Sequence, residues 1–462
     1  MLKQESSVVR FFTPIVILSI LTLFQFTYQP VNYLIFGILF LISLRSKYWQ
    51  LMAVMFIMMV KYTHEPLDER VMKYDLVTWI LFACYFFLSI KSIVQYFSKK
   101  DSILLSLSLF LFVVVFLSIF SQIPQMSLLK IVGFVWGIFT CYVLVRESEH
   151  PLYEFLFGVL AFYVVAGTIS FSYPEISVKE WTTLHQGITR HPQYYATLLS
   201  PLIALSVIRY LKGFREKKQT AMSLFLLFFG MVQLFYTYSR TGMFSSFLAV
   251  AVTIVIMMYR ERQRSIFLKV LLILTLLLIP VLMKYDELTQ AVSLIMTKEI
   301  KHEDAFDYSP EQFGIEDVVE TRQGLIDFSY ENFQEHPIVG IGFGVPSEIA
   351  YLKIASDDLF NIPLSAPIEK GNIFSTVLEE NGLIGFFFFL IFLFTLLRRI
   401  FSADYPDIAL MVSAFLVNMG EMAFFSTNGP GPYIWLMMFS GLRVPKMKTE
   451  NIDNDHLIRR GE

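Results

Sequence analysis

The stretch EKGNIFSTVLEENGLIGFFFFLIFLFTLL, residues 369–397, joins a polar head to a long apolar tail. Residues 386–397 are only Phe, Leu, Ile and Thr. A helix of this composition is stable in hydrocarbon because its backbone groups bond to one another. Glu369, Lys370, Glu379 and Glu380 precede the tail. The stretch therefore predicts a membrane-spanning helix that begins among an unusual concentration of polar side chains.

The rest of the chain has the same apolar character. Of its 462 residues, 55% are hydrophobic and 16% are charged, which is more apolar side chain than a soluble globule of this length can bury. This composition predicts an all-α, polytopic membrane protein with 12–14 transmembrane helices and a long, partly helical extracytoplasmic loop. Apolar runs recur at 11–27, 30–44, 50–62, 74–90, 102–120, 128–145, 152–171, 193–211, 220–237, 242–259, 265–283, 373–397, 407–425 and 431–443.

The positions of Lys and Arg predict how the helices are oriented. If the N-terminus is cytoplasmic, most of the 37 cations fall in cytoplasmic loops, as the positive-inside rule requires. Residues 284–372 then form an extracytoplasmic loop with 17 Asp and Glu against 6 Lys and Arg. A loop this long is typical of a binding element or a small folded cap. The predicted divisions are 1–183 and 184–283 (transmembrane), 284–372 (loop), 373–443 (transmembrane) and 444–462 (cytoplasmic tail).

Three arginines lie on the predicted outer face, where cations are scarce: Arg190, Arg240 and Arg322. A guanidinium binds phosphate through a planar, bidentate fork. Each has an ordinary alternative, since Arg190 is able to anchor lipid headgroups and Arg322 to pair with nearby carboxylates. Arg240 is harder to explain structurally, because placing an arginine within a membrane costs about 2.5–3.5 kcal/mol. The three together indicate a site for a diphosphate.

Other polar features have simpler interpretations. Gly340, Gly342 and Gly344 predict a tight turn close to the membrane surface, since no nucleotide-binding strand and helix flank them. Glu379 and Glu380 are either the edge of a site or ordinary acids near a helix start, where the helix dipole favours them. The two cysteines, Cys84 and Cys141, lie in apolar runs and predict free thiols.

Several segments together resemble a known family. GITRHPQYYATLLSP (187–201) is followed by YSRTG (238–242), then by TRQGLIDFSYENFQEHPIVGIGFG (321–344) in the long loop, and then by EKGNIFSTVLEENGLIG (369–385). Their order and spacing, over about residues 185–400, are similar to the O-antigen ligase and polymerase family of bacterial envelope enzymes. The resemblance implies a glycosyl transfer on the outer face of the bacterial cytoplasmic membrane, from a glycan on a polyprenyl diphosphate, usually undecaprenyl diphosphate.

The resemblance also implies roles for individual residues. Arg240 and Arg322 would hold the donor diphosphate, and Glu369 is a candidate general base for the acceptor hydroxyl. These three form the expected catalytic set. The expected substrate-binding residues are Arg190, His191, Lys370, Asn372 and Glu380. No cofactor or metal is expected, because arginines neutralise the leaving diphosphate in place of Mg²⁺.

Two choices stay open at the level of sequence. Ligases of the family commonly have His-Asn where this chain has Gly371-Asn372, and this departure favours a repeat-unit polymerase over a ligase that transfers glycan to lipid A core or protein. A lipid-linked oligosaccharide flippase or an assembly protein is the alternative from another class. Expected partners are the lipid-linked donor, a glycan or lipid acceptor, the bilayer and other polysaccharide-assembly membrane proteins, with no nucleic acid.

Overall fold

The structure is a computed structural model, in which residues 29–63, 74–148, 151–178, 184–189, 191–212, 217–261, 315–347, 355–356, 363–365, 370–427 and 429–442 are described. Helices dominate these residues, and the predicted all-α, polytopic membrane fold is confirmed. Six of the described helices are long and apolar enough to cross a membrane, and four shorter ones are apolar. The predicted runs 11–27 and 265–283 lie outside the described residues, so 12–14 spans remains a prediction.

The first nine helices precede the long loop. They are α1 (Gln29–Ser43), α2 (Lys47–Tyr62), α3 (Tyr74–Ser98), α4 (Ser102–Ser118), α5 (Pro124–Arg146), α6 (Leu152–Ser170), the short α7 (Pro174–Ser177), α8 (Pro192–Leu211) and α9 (Lys217–Tyr236).

The remaining elements include the helical part of the loop. They are α10 (Arg240–Glu261), α11 (Ile315–Glu335), the antiparallel pair β1 (Ala355–Ser356) and β2 (Pro363–Ser365), α12 (Ile373–Leu397), α13 (Tyr405–Val417) and α14 (Gly431–Phe439). Helix α11 confirms the helix predicted within the loop, and it ends two residues before Pro337 as expected.

Most predicted apolar runs agree with the helices to within a few residues, but 74–90 is too short, because its helix continues to Ser98, and two other runs are too long. The run 407–425 is too long, because α13 ends at Val417. The side chain of Asn418 donates to the carbonyl of Ala414 (2.7 Å) and accepts from the backbone N–H groups of Ala423 (3.0 Å) and Phe424 (2.7 Å). The buried side-chain amide of Asn418 therefore ends the helix. Residues 423–424 are apolar although they follow the helix, which is why the predicted run extends past Val417.

The helix ends fall into two groups at opposite ends of the bundle. Backbone hydrogen bonds or bridges join Thr63 to Thr189, His185 to Tyr236, Gln122 to Ile341 and Ile373 to Asn418 at one end, which we call the loop end. At the other, basic end, Arg260 donates to the carbonyls of Ile400 (3.0 Å) and Ala403 (2.8 Å), and Arg146 pairs with Asp101. The cations that the positive-inside rule assigns to the cytoplasm thus gather away from the loop end.

Small residues bring the helices at the centre together. Ser200 on α8 is within 2.8 Å of Ser245 on α10 and 3.0 Å of Ser413 on α13, hydroxyl to hydroxyl. On α5, a Cβ at Gly137 would come within 2.4 Å of the Trp435 ring on α14. Close approach of small residues is the usual means of helix association where lipid supplies no hydrophobic drive. The serine contacts hold α8, α10 and α13 against one another, and these three helices position the site described below.

Candidate active site at the loop end

Helix α12, which contains the opening stretch, is broken at Gly382. Gly382 has φ 57° and ψ −167°, a conformation that is essentially restricted to glycine. The break leaves the carbonyls of Glu379 and Glu380 and the N–H groups of Leu383 and Ile384 without their helical partners. Unpaired backbone groups are costly in an apolar environment, so the break requires partners from elsewhere.

A segment that we call the glycine strap, residues 336–345, supplies those partners. The N–H groups of Ile341 and Gly342 donate to the Glu379 and Glu380 carbonyls, each at 2.9 Å. In return, Leu383 N–H donates to Pro337 (2.8 Å) and Ile384 N–H donates to Ile338 (3.4 Å). The strap therefore completes the broken helix by backbone bonding, much as an added strand completes a sheet edge.

The glycines of the strap are required by these close approaches. A Cβ at Gly340 would lie 2.4 Å from the Glu380 carbonyl carbon, and one at Gly342 would lie 1.8 Å from Ser121 Oγ. Gly340, Gly342 and Gly344 all have positive φ. The strap packs on protein, between α12 and the α4–α5 connection, and its predicted position close to the membrane surface stays a prediction.

Glu379 and Glu380 are part of a buried ion cluster. The Lys370 ammonium lies 2.9 Å from Glu380 Oε1 and 3.2 Å from Glu379 Oε2. Both residues are at most 1% exposed, and they end the first segment of α12. Interpreting them as ordinary acids near a helix start is therefore wrong. Burial alone would lower the pKa of Lys370, but Glu380 and Glu379 hold its pKa above the usual value, so the ammonium stays charged.

Glu379 also anchors α11, the helix from the long loop. Its Oε2 accepts from the Ser329 hydroxyl (3.0 Å) and its Oε1 accepts from the Asn332 amide (2.8 Å), which also donates to the Ser347 carbonyl (2.7 Å). At the other end of this contact, a Cβ at Gly371 would lie 3.1 Å from Ile326 Cγ1. Helix α11 therefore covers residues 370–371, directly before Asn372.

Two predicted residues lie next to this contact. Arg322 is on α11, one helical turn before Ile326. Asn372 caps α12, and its side chain accepts from the N–H groups of Phe374 (2.9 Å) and Ser375 (3.0 Å). These two bonds satisfy N–H groups that the first turn of a helix leaves unpaired. The Asn372 oxygen has a structural role whatever else the residue contacts.

Arg240 reaches the same area through the turn after α13. Arg240 is the first residue of α10 and is half-buried. The next residue, Thr241, packs closely on Gly420. A Cβ added to Gly420 would lie 2.3 Å from the Oγ1 of Thr241. Two residues before Gly420, the carbonyl of Asn418 accepts from Ile373 N–H (3.0 Å). The starts of α10 and α12 are therefore separated only by residues 418–420.

His191 marks a third helix start in this group. It caps α8, with Nδ1 accepting from the N–H of Gln193 (3.2 Å). One turn further along α8, Ala196 contacts α10. A Cβ added to Gly242 on α10 would lie 2.8 Å from the Cβ of Ala196. Helices α8, α10 and α12 thus all begin at the loop end. Each contributes the partial positive charge of a helix N-terminus there, which favours a bound anion.

The predicted site residues separate into two groups. The structure brings the helix positions of His191, Arg240 and Arg322 and the 370–372 turn to one end of the bundle, with Glu380 buried beneath that turn. Arg190 and Glu369 lie outside the described residues. The functional roles assigned to all eight positions remain predictions.

Sequence reasoning missed the residues that hold the turn in place: Ser329, Asn332, Asn418 and the contacts of Glu379. Ser329 and Asn332 are three residues apart and so share a face of α11, which was the available signal. No local pattern indicated which partner that face would contact.

A second buried polar group lies nearby, in the connection between α7 and α8. The His185 ring stacks on Phe171, with centroids 4.0 Å apart, and is 2% exposed. Burial lowers the pKa of His185 to about 4, although a hydrogen bond involving the Ser177 backbone opposes this shift. The imidazole is therefore neutral at physiological pH and packs as an aromatic residue rather than as an anion-binding cation.

Comparison with known proteins identifies part of the chain. Residues 224–390 match the family model described as O-antigen ligase, so the part of the chain from α9 into α12 is similar to that family. No curated protein matches the sequence. The family match supports a bacterial membrane protein with a role in surface polysaccharide assembly, acting on lipid-linked glycans.

Proposed function

We propose, on the premise of the O-antigen ligase-like domain in residues 224–390, that this chain is a glycosyltransferase that polymerises surface-polysaccharide repeat units. The donor is a glycan on undecaprenyl diphosphate, and transfer takes place at the outer face of the cytoplasmic membrane. The observation that carries the proposal is the convergence of the starts of α8, α10 and α12 with Arg240, under the helix that bears Arg322.

The chemistry suits such a group of residues. A polyprenyl diphosphate is already a good leaving group, so the enzyme must mainly stabilise its charge and position an acceptor hydroxyl. Arg240 and the helix N-termini provide positive charge at fixed places, with Arg322, Arg190 and His191 as further contacts to the donor. Transfer moves the anomeric carbon from the diphosphate oxygen to the acceptor oxygen, and the acceptor proton goes to a base.

Glu369 is the proposed base. The neighbouring carboxylates are poorly suited, because Glu379 and Glu380 are buried and already paired with Lys370. Glu369 directly precedes Lys370 in the sequence. Because the cationic groups supply the charge that a metal otherwise provides, we propose a metal-independent reaction.

The position of Gly371 supports polymerase over ligase. A side chain here would meet Ile326 of α11, since even a Cβ comes within 3.1 Å of Ile326 Cγ1. The histidine common at this position in ligases would therefore require the Ile326 side chain to shift. The name of the matched family favours the second candidate, an O-antigen ligase that transfers finished glycan to lipid A core or protein.

The test is to replace Arg240 and then analyse the glycans. In a deletion strain, Arg240→Ala should leave surface glycan at one repeat unit, with lipid-linked units accumulating at the outer face. Purified Arg240→Ala should lose about 10²–10³-fold in kcat/KM, the typical effect of removing one charge-stabilising donor. Arg45→Ala, an exposed arginine at the basic end, is the matched control and should polymerise normally.

The other outcomes each identify a different function. Long chains stranded on the lipid carrier would indicate the ligase. Single units accumulating only on the cytoplasmic side would indicate a flippase. Full polymerisation by Arg240→Ala would refute the proposed site.

A further inference from the structure

The buried cluster beneath the turn is arranged to hold α11 rather than to contact substrate. Resting on the proposed function, we infer that Glu379 is a positioning residue: it fixes α11, and with it Arg322, against the 370–372 turn. Lys370 is then the counter-ion of this anchor, with its ammonium taken by two carboxylates, rather than a ligand of the diphosphate.

The hydrogen-bond inventory of Glu379 supports this role. Its two oxygens contact three donor groups on two separate parts of the chain: they accept hydrogen bonds from Ser329 and Asn332 on α11 and form an ion pair with Lys370 on the turn. A carboxylate has about four acceptor positions and no donor, so it suits three donors at once. A glutamine has only one acceptor oxygen. Its NH₂ group would face at least one of these donors and could not accept from it.

The location of the anchor explains why a single residue has this influence. Within the described part of the chain, α11 begins at Ile315 and ends at Glu335. Its packing on α12 includes the Glu379 bonds at Ser329 and Asn332 and, further along the helix, the Ile326–Gly371 approach. Loss of the Glu379 bonds should let α11 tilt about the Ile326–Gly371 contact, and this tilt moves position 322.

Glu379 itself cannot move to compensate. Its own carbonyl accepts from Ile341 of the glycine strap at 2.9 Å, so its backbone is fixed at the break in α12. Its side chain is fully buried. Glu379 therefore links three elements of the site: its side chain contacts α11 and the turn, and its backbone carbonyl contacts the strap.

The experiment replaces the anchor and then restores docking by a covalent bond. The pair Ile326→Cys and Gly371→Cys is built in a chain in which Cys84 and Cys141 are replaced by Ala. The approach of these positions suits a disulfide. Glu379→Gln in this background should slow the rate of oxidative cross-linking about tenfold or more, because α11 is docked for less of the time.

Activity then distinguishes positioning from simple destabilisation. In the reduced state, Glu379→Gln should lower kcat/KM for glycan transfer about 10²-fold, as expected when a reacting group is misplaced by about 1 Å. Oxidation of the same protein should recover at least tenfold of that loss, because the disulfide replaces the anchor. Glu331→Gln, an exposed acid on α11, is the control and should leave both cross-linking and transfer unchanged.

Ser329→Ala keeps the charge of Glu379 and removes only one donor, so it serves if Glu379→Gln does not fold. It should give a smaller loss of transfer, which oxidation also repairs. Unchanged cross-linking in both variants, or a cross-linked protein whose transfer is not restored, would overturn the inference. If the unsubstituted protein catalyses no transfer at all, the proposed function fails, whereas the cross-linking rates still report whether Glu379 docks α11.

Discussion

Replacing Gly382 with alanine tests the most unusual backbone feature of the chain. The φ and ψ of Gly382 (57° and −167°) are essentially restricted to glycine and cost another residue about 1–3 kcal/mol. The added Cβ would also lie 2.3 Å from the carbonyl oxygen of Ile338, which is backbone of the glycine strap and cannot rotate aside. The substitution must therefore strain the break or displace the strap.

The magnitude follows from these two terms. If the strap shifts, the bonds from Leu383 N–H to Pro337 and from Ile384 N–H to Ile338 weaken, at about 1 kcal/mol each. Together with the backbone strain, we expect Gly382→Ala to lower the free energy of unfolding by about 3–5 kcal/mol. That is a large part of the total of about 5–15 kcal/mol typical of folded proteins.

The assay is unfolding of the purified protein in mixed detergent micelles, followed by tryptophan fluorescence or circular dichroism. Gly37→Ala is the matched control, because this glycine is in α1 and a Cβ there meets nothing within 4 Å. In a helix, alanine is favoured over glycine by about 0.5–1 kcal/mol, so the control should be neutral or stabilising. A Gly382→Ala protein within about 1 kcal/mol of the parent would refute the requirement for glycine at the break.

Two further predictions concern single buried side chains. His185 has a pKa near 4 when folded and about 6.5 when unfolded, so the unfolded chain binds the extra proton between those values. Stability should therefore fall by about 3 kcal/mol as the pH drops from 6.5 to 4, and His185→Phe should flatten this dependence in thermal unfolding scans. For Asn418→Ala, the buried N–H groups of Ala423 and Phe424 lose their acceptor. We expect about 2–4 kcal/mol of destabilisation by detergent unfolding, and a loss below 0.5 kcal/mol would contradict the role given to this amide.

The sequence by itself determined the helices and little about their partners. The run 373–397 predicted α12 to the residue, and 152–171 predicted α6 to within one residue. This succeeds because hydrophobicity is a local property, and because a helix in lipid satisfies its backbone within its own segment. The arginine-bearing motif YSRTG likewise indicated the start of α10 before any contact was known.

Only the tertiary structure decided what the polar residues of the opening stretch do. Glu379 is an ordinary acid in the sequence, but its partners at 329, 332, 341 and 370 lie on three separate segments. The break at Gly382 depends on a strap about forty residues earlier that supplies the missing backbone bonds. The burial and pairing of these side chains depend on contacts between segments that are distant in sequence. No short sequence pattern indicates which segments will make those contacts.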